Sequence, residues 1–449
     1  MSFFKKIVNK HTISLVSNAA MPVIGMLVLS LMAHNLHKSD FGNYIFFLIV
    51  FTLADAFRTG FMQTSVIKFY AGASKKRAIN VAGSAWSIGF ILTLSLVIIN
   101  FLVYLFFKSS NPDVVATIKW FGIIYICTLP SAIASWLLPA EERFDKLLIL
   151  QLVNQIGFLL CVLGLIFMHN INFQTVIYCY LANNIFTSLV CIFTGWSKIH
   201  TIKYKTKQSI KELVHFGKFS VGTTLVSTLL SSSDTFIIKS KFPVELVGVY
   251  YIPQRLLEIF QIPMRSFIAT AMPELSSAVY RKDQAGVAII MKRYAGMLTV
   301  LFIPIAIAAF ILAGIVIHIL FGKKFDNTDA VSIFRIFICY VMLLPIDKFF
   351  GITLDIIGKP HINMIKVILM LIVNVLGDFI GIYLFHNLYG VAIASLFTFL
   401  TGAIFGYWQL KKHLNFTVTD IFTLGYQELK EIVIHLLHKK VTHENSNTI

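Results

Sequence analysis

Charge is scarce in this chain of 449 residues: Asp, Glu, Lys and Arg make up 13%, about half the share of a soluble domain. That shortage excludes an ordinary soluble enzyme. Cysteine is scarce as well. The five present (Cys127, Cys161, Cys179, Cys191 and Cys339) all fall inside hydrophobic stretches, without a Cys-x-x-Cys pair, so neither disulfides nor zinc are expected. There is no Gly-x-x-x-x-Gly-Lys-Ser/Thr loop to hold ATP, no His-Glu-x-x-His and no Gly-x-Ser-x-Gly. Long polar loops are missing too, so a catalytic domain outside the hydrophobic segments has no place to fold. The expectation is a protein that is not an enzyme and needs no cofactor or metal.

What the chain has is hydrophobic residues, 57% of the total, with a mean hydropathy of +0.79. Apolar runs of about 20 residues or more, enough to cross a bilayer, occur near 13–36, 42–66, 81–107, 118–140, 147–168, 173–195, 216–238, 247–273, 294–321, 330–357, 361–385 and 388–410. The fold class read from this is an all-α polytopic membrane protein of about twelve spans. The first run follows Lys5, Lys6 and Lys10 and is too long for a signal-peptide core, so it reads as an uncleaved span.

The formal net charge of +17 would suggest nucleic acid in a soluble protein. In a polytopic one it reflects basic cytoplasmic loops, and no nucleic-acid partner is expected. With the N-terminus inside, the external loops hold only Lys38, Lys108, Lys119, Lys239, Lys241, Lys323 and Lys324 of the 38 Lys and Arg. Both termini are then cytoplasmic. The densest basic stretch, Lys198, Lys203, Lys205, Lys207 and Lys211, joins span six to span seven and reads as a topology determinant near anionic membrane lipid. The expected organisation is an N-terminal lobe over 1–197, a basic linker over 198–215, a C-terminal lobe over 216–411 and a tail over 412–449. Phe422, Tyr426, Leu429, Val433, Leu436 and Leu437 recur at helical spacing in that tail, as in an interfacial amphipathic helix, and His435 and His438 read as part of its face.

A short internal repeat supports two lobes. Gly42-Asn43-Tyr44 opens span two and Gly248-Val249-Tyr250 opens span eight, while Met62 and Tyr70 at the far end of span two are matched by Met272 and Tyr280. Two halves of six spans would share orientation, as in transporters with parallel repeats, and would leave a central cleft.

Ionisable residues at the bilayer centre cost about 2.5–3.5 kcal/mol or more, so they face a bundle interior or a wet cavity. Span two carries Asp55 and Arg58; span eight carries Arg255 and Glu258, with Arg265 deeper; span ten carries Asp347 and Lys348. Asp55 with Arg58 and Arg255 with Glu258 are each three apart, so each can pair on its own helix. Structural pairing and a role in the cleft both stand. Span seven adds a polar stripe, Thr224, Ser227, Ser231 and Asp234, read either as interhelical hydrogen bonding or as a hydrated wall with Asp234 a proton or cation site. Lys348 and Asp355 on span ten read as a structural pair.

The chain resembles the multidrug, oligosaccharidyl-lipid and polysaccharide (MOP) exporter superfamily, and within it the polysaccharide transport branch of Wzx-type O-antigen flippases. The resemblance rests on Leu36-His37-Lys38-Ser39-Asp40-Phe41-Gly42-Asn43-Tyr44, where His37 replaces a customary glycine. It rests also on Val247-Gly248-Val249-Tyr250 with Arg255 and Met272-Pro273-Glu274-Leu275-Ser276, and on Pro139-Ala140-Glu141-Glu142-Arg143-Phe144. It implies two six-helix lobes in a bacterial inner membrane that alternately open to either side. It also implies a monomer that moves undecaprenyl-pyrophosphate-linked oligosaccharide, an O-antigen or capsule repeat unit, to the periplasmic leaflet and supplies the polysaccharide polymerase machinery. In that reading Arg255 clamps the pyrophosphate through its planar fork, with Arg58 and Arg265 as further contacts. Asp55, Asp234 and Glu258 position the arginines or exchange protons. The alternatives are a cation-coupled multidrug extruder and a lipid II flippase of the same superfamily, and, from another class, a membrane-embedded polymerase or ligase.

Overall fold

The computed structural model describes residues 10–106 and 112–431. Val433, His435, Leu436, Leu437 and His438 of the expected interfacial helix lie outside these residues, as do Lys5 and Lys6. The described residues are helical almost throughout, with no strand among them. In chain order the helices are α1 (Lys10–Asn35), α2 (Lys38–Tyr70), α3 (Lys75–Phe106), α4 (Pro112–Cys127), α5 (Leu129–Ala140), α6 (Phe144–Phe167) and α7 (Phe173–Phe193). After a 3-10 turn (Ile199–Tyr204) come α8 (Lys207–Lys241), α9 (Val244–Tyr280), α10 (Gln284–Phe321), α11 (Ala330–Tyr340), α12 (Leu343–Ile356), α13 (Pro360–Phe385) and α14 (Leu388–Leu410). A further helical stretch covers 418–431.

Eight of these helices are long and apolar enough to cross a bilayer, and two bent pairs, α4–α5 and α11–α12, bring the number to ten. The other two expected spans are also helical, as α1 and as α9, which carries Arg255, Glu258 and Arg265 along its length. This is a multi-pass membrane protein of the expected class. Spans four and ten, however, are not single rods: they bend by 45° and 49°. In span four the bend falls at Thr128, two residues before Pro130, whose ring removes one N–H from the helical ladder.

Polar caps end the helices where the apolar pattern stops. Asn172 accepts from Thr175 N–H at 3.0 Å while the Thr175 hydroxyl receives the Asn172 N–H, a reciprocal cap on α7. Thr206 and Asn387 cap α8 and α14 in the same sense.

The chain forms two compact units. Unit 1 runs to Tyr251 and takes in Leu320–Phe325; unit 2 comprises Ile252–Ile319 and the chain from Asp326 on. The core of unit 1 gathers Met62, Val66, Val81, Trp86, Ile133, Trp136 and Leu213 from α2, α3, α5 and α8. Unit 2 buries Leu298, Phe302, Phe337, Phe349 and Leu354, with Tyr294 stacked on Phe349.

The Gly-x-Tyr repeat acquires a physical reason in unit 1. A Cβ on Gly42 would run into the Val244 backbone carbonyl, and one on Gly248 would sit 2.7 Å from the Phe41 ring. The two glycines let the starts of α2 and α9 touch backbone to backbone. Their tyrosines are buried, Tyr44 stacked on Phe158 and Tyr250 donating to Asp234. The matched pairs at the far ends differ in surroundings: Met62 and Tyr70 are buried, whereas Met272 and Tyr280 are exposed.

A buried arginine beside a polar cavity

Arg58 lies midway along α2 and is almost wholly buried, with 1% of its side chain exposed. A cation there must find acceptors, and the bend in span four supplies them. Where α4 gives way to α5, the Tyr125 carbonyl accepts from Arg58 Nη1 at 3.3 Å and the Thr128 hydroxyl from Nη2 at 3.0 Å. Thr93 on α3 accepts from Nη1 at 3.4 Å. Asp55, one turn back, takes Nε at 3.1 Å and Nη2 at 2.5 Å. The guanidinium also stacks 4.2 Å from the Tyr125 ring centroid, so all three nitrogens are engaged and the charge is neutralised locally.

Asp55 is different: its side chain is 35% exposed and lines a cavity of about 350 Å³ inside unit 1. The wall is polar. Thr128, Ser131 and Ser135 come from α5, Gln151, Asn154 and Gln155 from α6, and Asn184 and Thr187 from α7. These amides and hydroxyls are tied to one another: Asn154 Nδ2 lies 3.5 Å from Asn184 Oδ1 and 3.4 Å from Thr187 Oγ1. Asn183 donates to the Asn154 carbonyl at 2.9 Å, and Ser188 to the Cys127 carbonyl at 2.6 Å. The wall can therefore offer both donors and acceptors to water or a sugar while Asp55 supplies its one negative charge. Helical spacing of Thr128, Ser131 and Ser135, and of Gln151, Asn154 and Gln155, was the available signal for this wall; attention to ionisable residues alone misses it.

The span-seven stripe divides. Thr224 packs against Gly60 of α2, whereas Ser227 and Ser231 are exposed, and the Ser231 hydroxyl donates to the Thr228 carbonyl at 2.9 Å. Asp234 is buried, and its Oδ2 accepts from Tyr250 at 2.6 Å. Its partner lies on the next helix, at the second copy of the Gly-x-Tyr repeat.

In unit 2, Arg255 Nη1 meets Glu258 at 2.5 Å, one turn on, with 21% and 31% of the side chains exposed. Among the described residues nothing bonds Nε or Nη2. Arg265 is exposed and makes no ion pair among the described residues. Asp347 pairs not with a residue of its own span but with Lys366 of α13, at 2.6 Å, both buried. Asp355 takes the Asn363 amide at 2.9 and 3.0 Å rather than Lys348, which is exposed. Among the described residues no cluster of His, Cys, Asp or Glu could hold a metal ion.

Residues 31–330 match the family model for polysaccharide biosynthesis proteins. The chain belongs to that family. No curated protein matches its sequence. Among solved structures it is similar to a multidrug resistance MATE family transporter of the MOP superfamily in an inward-facing conformation. The TM-score is 0.75 at 13% identity, covering 89% of this chain and 98% of that one. It is also similar to the lipid II flippase MurJ, with a TM-score of 0.67 at 17% identity, covering 94% and 92%. A third likeness, to an outward-facing MATE family transporter, has a TM-score of 0.64 at 16% identity, covering 92% and 96%. At these identities the likenesses show the fold, which is that of the MOP superfamily. This member of the polysaccharide biosynthesis family is therefore a multi-pass membrane protein with the MOP fold.

Proposed function

We propose that the chain is a flippase that carries an undecaprenyl-pyrophosphate-linked oligosaccharide from the cytoplasmic to the periplasmic leaflet of a bacterial inner membrane by alternating access. N- and C-termini are cytoplasmic, and the six-span lobes are those expected over 1–197 and 216–411. The observation that carries the reading is the family match over residues 31–330 on a chain whose membrane helices hold both a polar, amide-rich cavity and arginines with free donors.

A glycan needs dense hydrogen-bonding capacity, and a pyrophosphate needs a cation that stays charged out of water; arginine meets the second need. Among the described residues Arg255 retains two guanidinium nitrogens beyond its bond to Glu258 and Arg265 has no ion pair, so these two take the pyrophosphate. Arg58, with all its nitrogens engaged, is the weaker contact and serves to hold Asp55 at the cavity wall. Asp55 and Asp234 are the carboxylates available for proton exchange, and Glu258 positions Arg255.

The test is leaflet-resolved glycolipid measurement in cells lacking the gene. Lipid-linked oligosaccharide should accumulate on the cytoplasmic face and be cleared by the wild-type chain. Arg255→Ala should clear none despite normal membrane insertion, and Arg255→Lys only part, since it lacks the bidentate fork. Full clearance by Arg255→Ala would remove the clamp. Unchanged glycolipid with altered sensitivity to cationic drugs would move the function to drug export.

A further inference from the structure

Each unit has three turns at the ends of its even-numbered spans, on the side that the basic loops mark as cytoplasmic. The turn after span four and the turn after span ten are built alike. Glu141, Glu142 and Arg143 N–H groups bond the carbonyls of Leu137, Pro139 and Leu138; Ile357, Gly358 and Lys359 bond those of Thr353, Asp355 and Leu354, the same steps back along the chain. The middle residue is left-handed in both, φ 56° at Glu142 and 79° at Gly358. Turns after spans two and eight match as well, with left-handed Gly72 (φ 69°) and Lys282 (φ 57°).

The chemistry at these matched turns differs. In unit 1 the Glu141 carboxylate accepts from Lys198, which follows span six, and at 2.6 Å from Tyr70, which ends span two. All three turns are tied by one acid. In unit 2 the matching position is Ile357, Tyr280 is 90% exposed, and a cavity of about 320 Å³ lies open instead. Lys282, Lys359 and His413 line it over a floor that includes Val287 and Leu414. None of the three basic side chains has an ion pair among the described residues. The lone lining acid, Asp283, is committed to the N-terminus of α10, where it accepts from Gly286 N–H at 2.8 Å.

We infer that this cavity binds the phosphate of an anionic phospholipid headgroup from the cytoplasmic leaflet, which takes the place that Glu141 fills in unit 1. Trp408, 57% exposed near the end of α14, lies under Lys412 Nζ at 3.7 Å, an aromatic and cation pair of the kind that marks the membrane boundary. The helices α10 and α13, which start at the cavity, expose Ile289, Met364 and Ile365 within their first two turns, an apolar course for acyl chains. Two lysines near a membrane surface contribute about 1 kcal/mol each to anionic lipid binding, or about 30-fold together.

The test uses the purified full chain in neutral detergent, titrated with short-chain phosphatidylglycerol and read by thermal melting and by lipid retained in native mass spectrometry. Phosphatidylglycerol should raise the melting temperature and remain bound, and phosphatidylcholine should not. The K282A/K359A variant should bind about 30-fold more weakly, whereas K75A/K76A, which removes two exposed lysines from the matching end of unit 1, should bind as wild type. Ile357→Glu supplies the missing carboxylate from within; it should melt no lower than wild type without lipid and lose phosphatidylglycerol binding. Equal loss in K75A/K76A would reduce the effect to overall surface charge and overturn the site. Wild-type binding by Ile357→Glu would overturn it too. Equal stabilisation by inorganic phosphate at the same concentration would assign the cavity to a free anion and overturn the lipid.

Discussion

Spans four and ten both bend, by 45° and 49°, and beside each bend sits a cation bonded to a carboxylate, yet the two sites differ in access to water. In unit 1, Arg58 is sealed while Asp55 reaches a cavity of about 350 Å³. In unit 2, Lys366 and Asp347 are both sealed, at 3% and 10% side-chain exposure. Lys366 also donates to the Asp347 main-chain carbonyl at 2.9 Å. Gly402 closes the remaining space, since a Cβ there would come 2.5 Å from Asp347 Oδ1. One bend has therefore been kept wet and the other made a dry fastening between helices. A hydrated carboxylate can change protonation or meet a polar substrate; a buried pair without water can do neither without first breaking.

The largest effect should come from breaking the dry pair. Lys366→Met leaves Asp347 buried without its cation and should cost about 3–5 kcal/mol, measured as lost thermal stability of the purified protein. Lys366→Met with Asp347→Leu should recover most of it. Arg58→Met should cost less, about 2 kcal/mol, because Asp55 can be hydrated from the cavity, yet it should impair transport more than the recovered double variant of unit 2. If Arg58→Met destabilises as much as Lys366→Met, the two bends are alike and the distinction between wet and dry fails.

The two copies of the Gly-x-Tyr repeat offer a smaller contrast. Gly42→Ala pushes a methyl into the Val244 backbone, which cannot turn aside; Gly248→Ala meets the Phe41 ring, which can. The first should cost about 2 kcal/mol and the second about 1 kcal/mol, by the same melting measurement. Reversal of that order would mean that the ring is held more firmly than the backbone crossing.

Hydrophobic run length made the spans legible in the sequence, and three-residue spacing correctly paired Asp55 with Arg58 and Arg255 with Glu258, because both signals are local. What the sequence could not reveal depends on residues brought together from distant helices. Lys348 stands beside Asp347 in the chain, but the partner is Lys366, nineteen positions away on α13; only the fold decides which way each side chain points. Asp234 accepts from Tyr250, which lies sixteen positions on, on α9. Nothing in the local pattern of span four shows that Thr128 and the Tyr125 carbonyl turn toward an arginine of another helix. The cavity wall is hard to see in the sequence because neutral amides in a hydrophobic run do not stand out as charges do.

The smallest predicted effect concerns the acid that closes the unit 1 turns and is absent from unit 2. Burial alone would raise the Glu141 carboxyl, but hydrogen bonds from Lys198 and Tyr70 outweigh it and hold the group below its ordinary 4.5. Burial alone would lower Lys198, yet its bonds to Glu141 and Tyr70 hold it above 10.5. A depressed carboxyl contributes stability that is full above 4.5 and lost as the pH falls through its folded value. A raised ammonium contributes stability that is full below 10.5 and lost as the pH rises through its folded value. The tie is therefore complete between 4.5 and 10.5. Glu141→Gln should cost about 1 kcal/mol within that window, and the gap in melting temperature from wild type should close as the pH falls below the depressed value. A gap that persisted in acid would show that Glu141 acts through packing rather than charge, and the contrast between a closed unit 1 and an open, cationic unit 2 would then rest on shape alone.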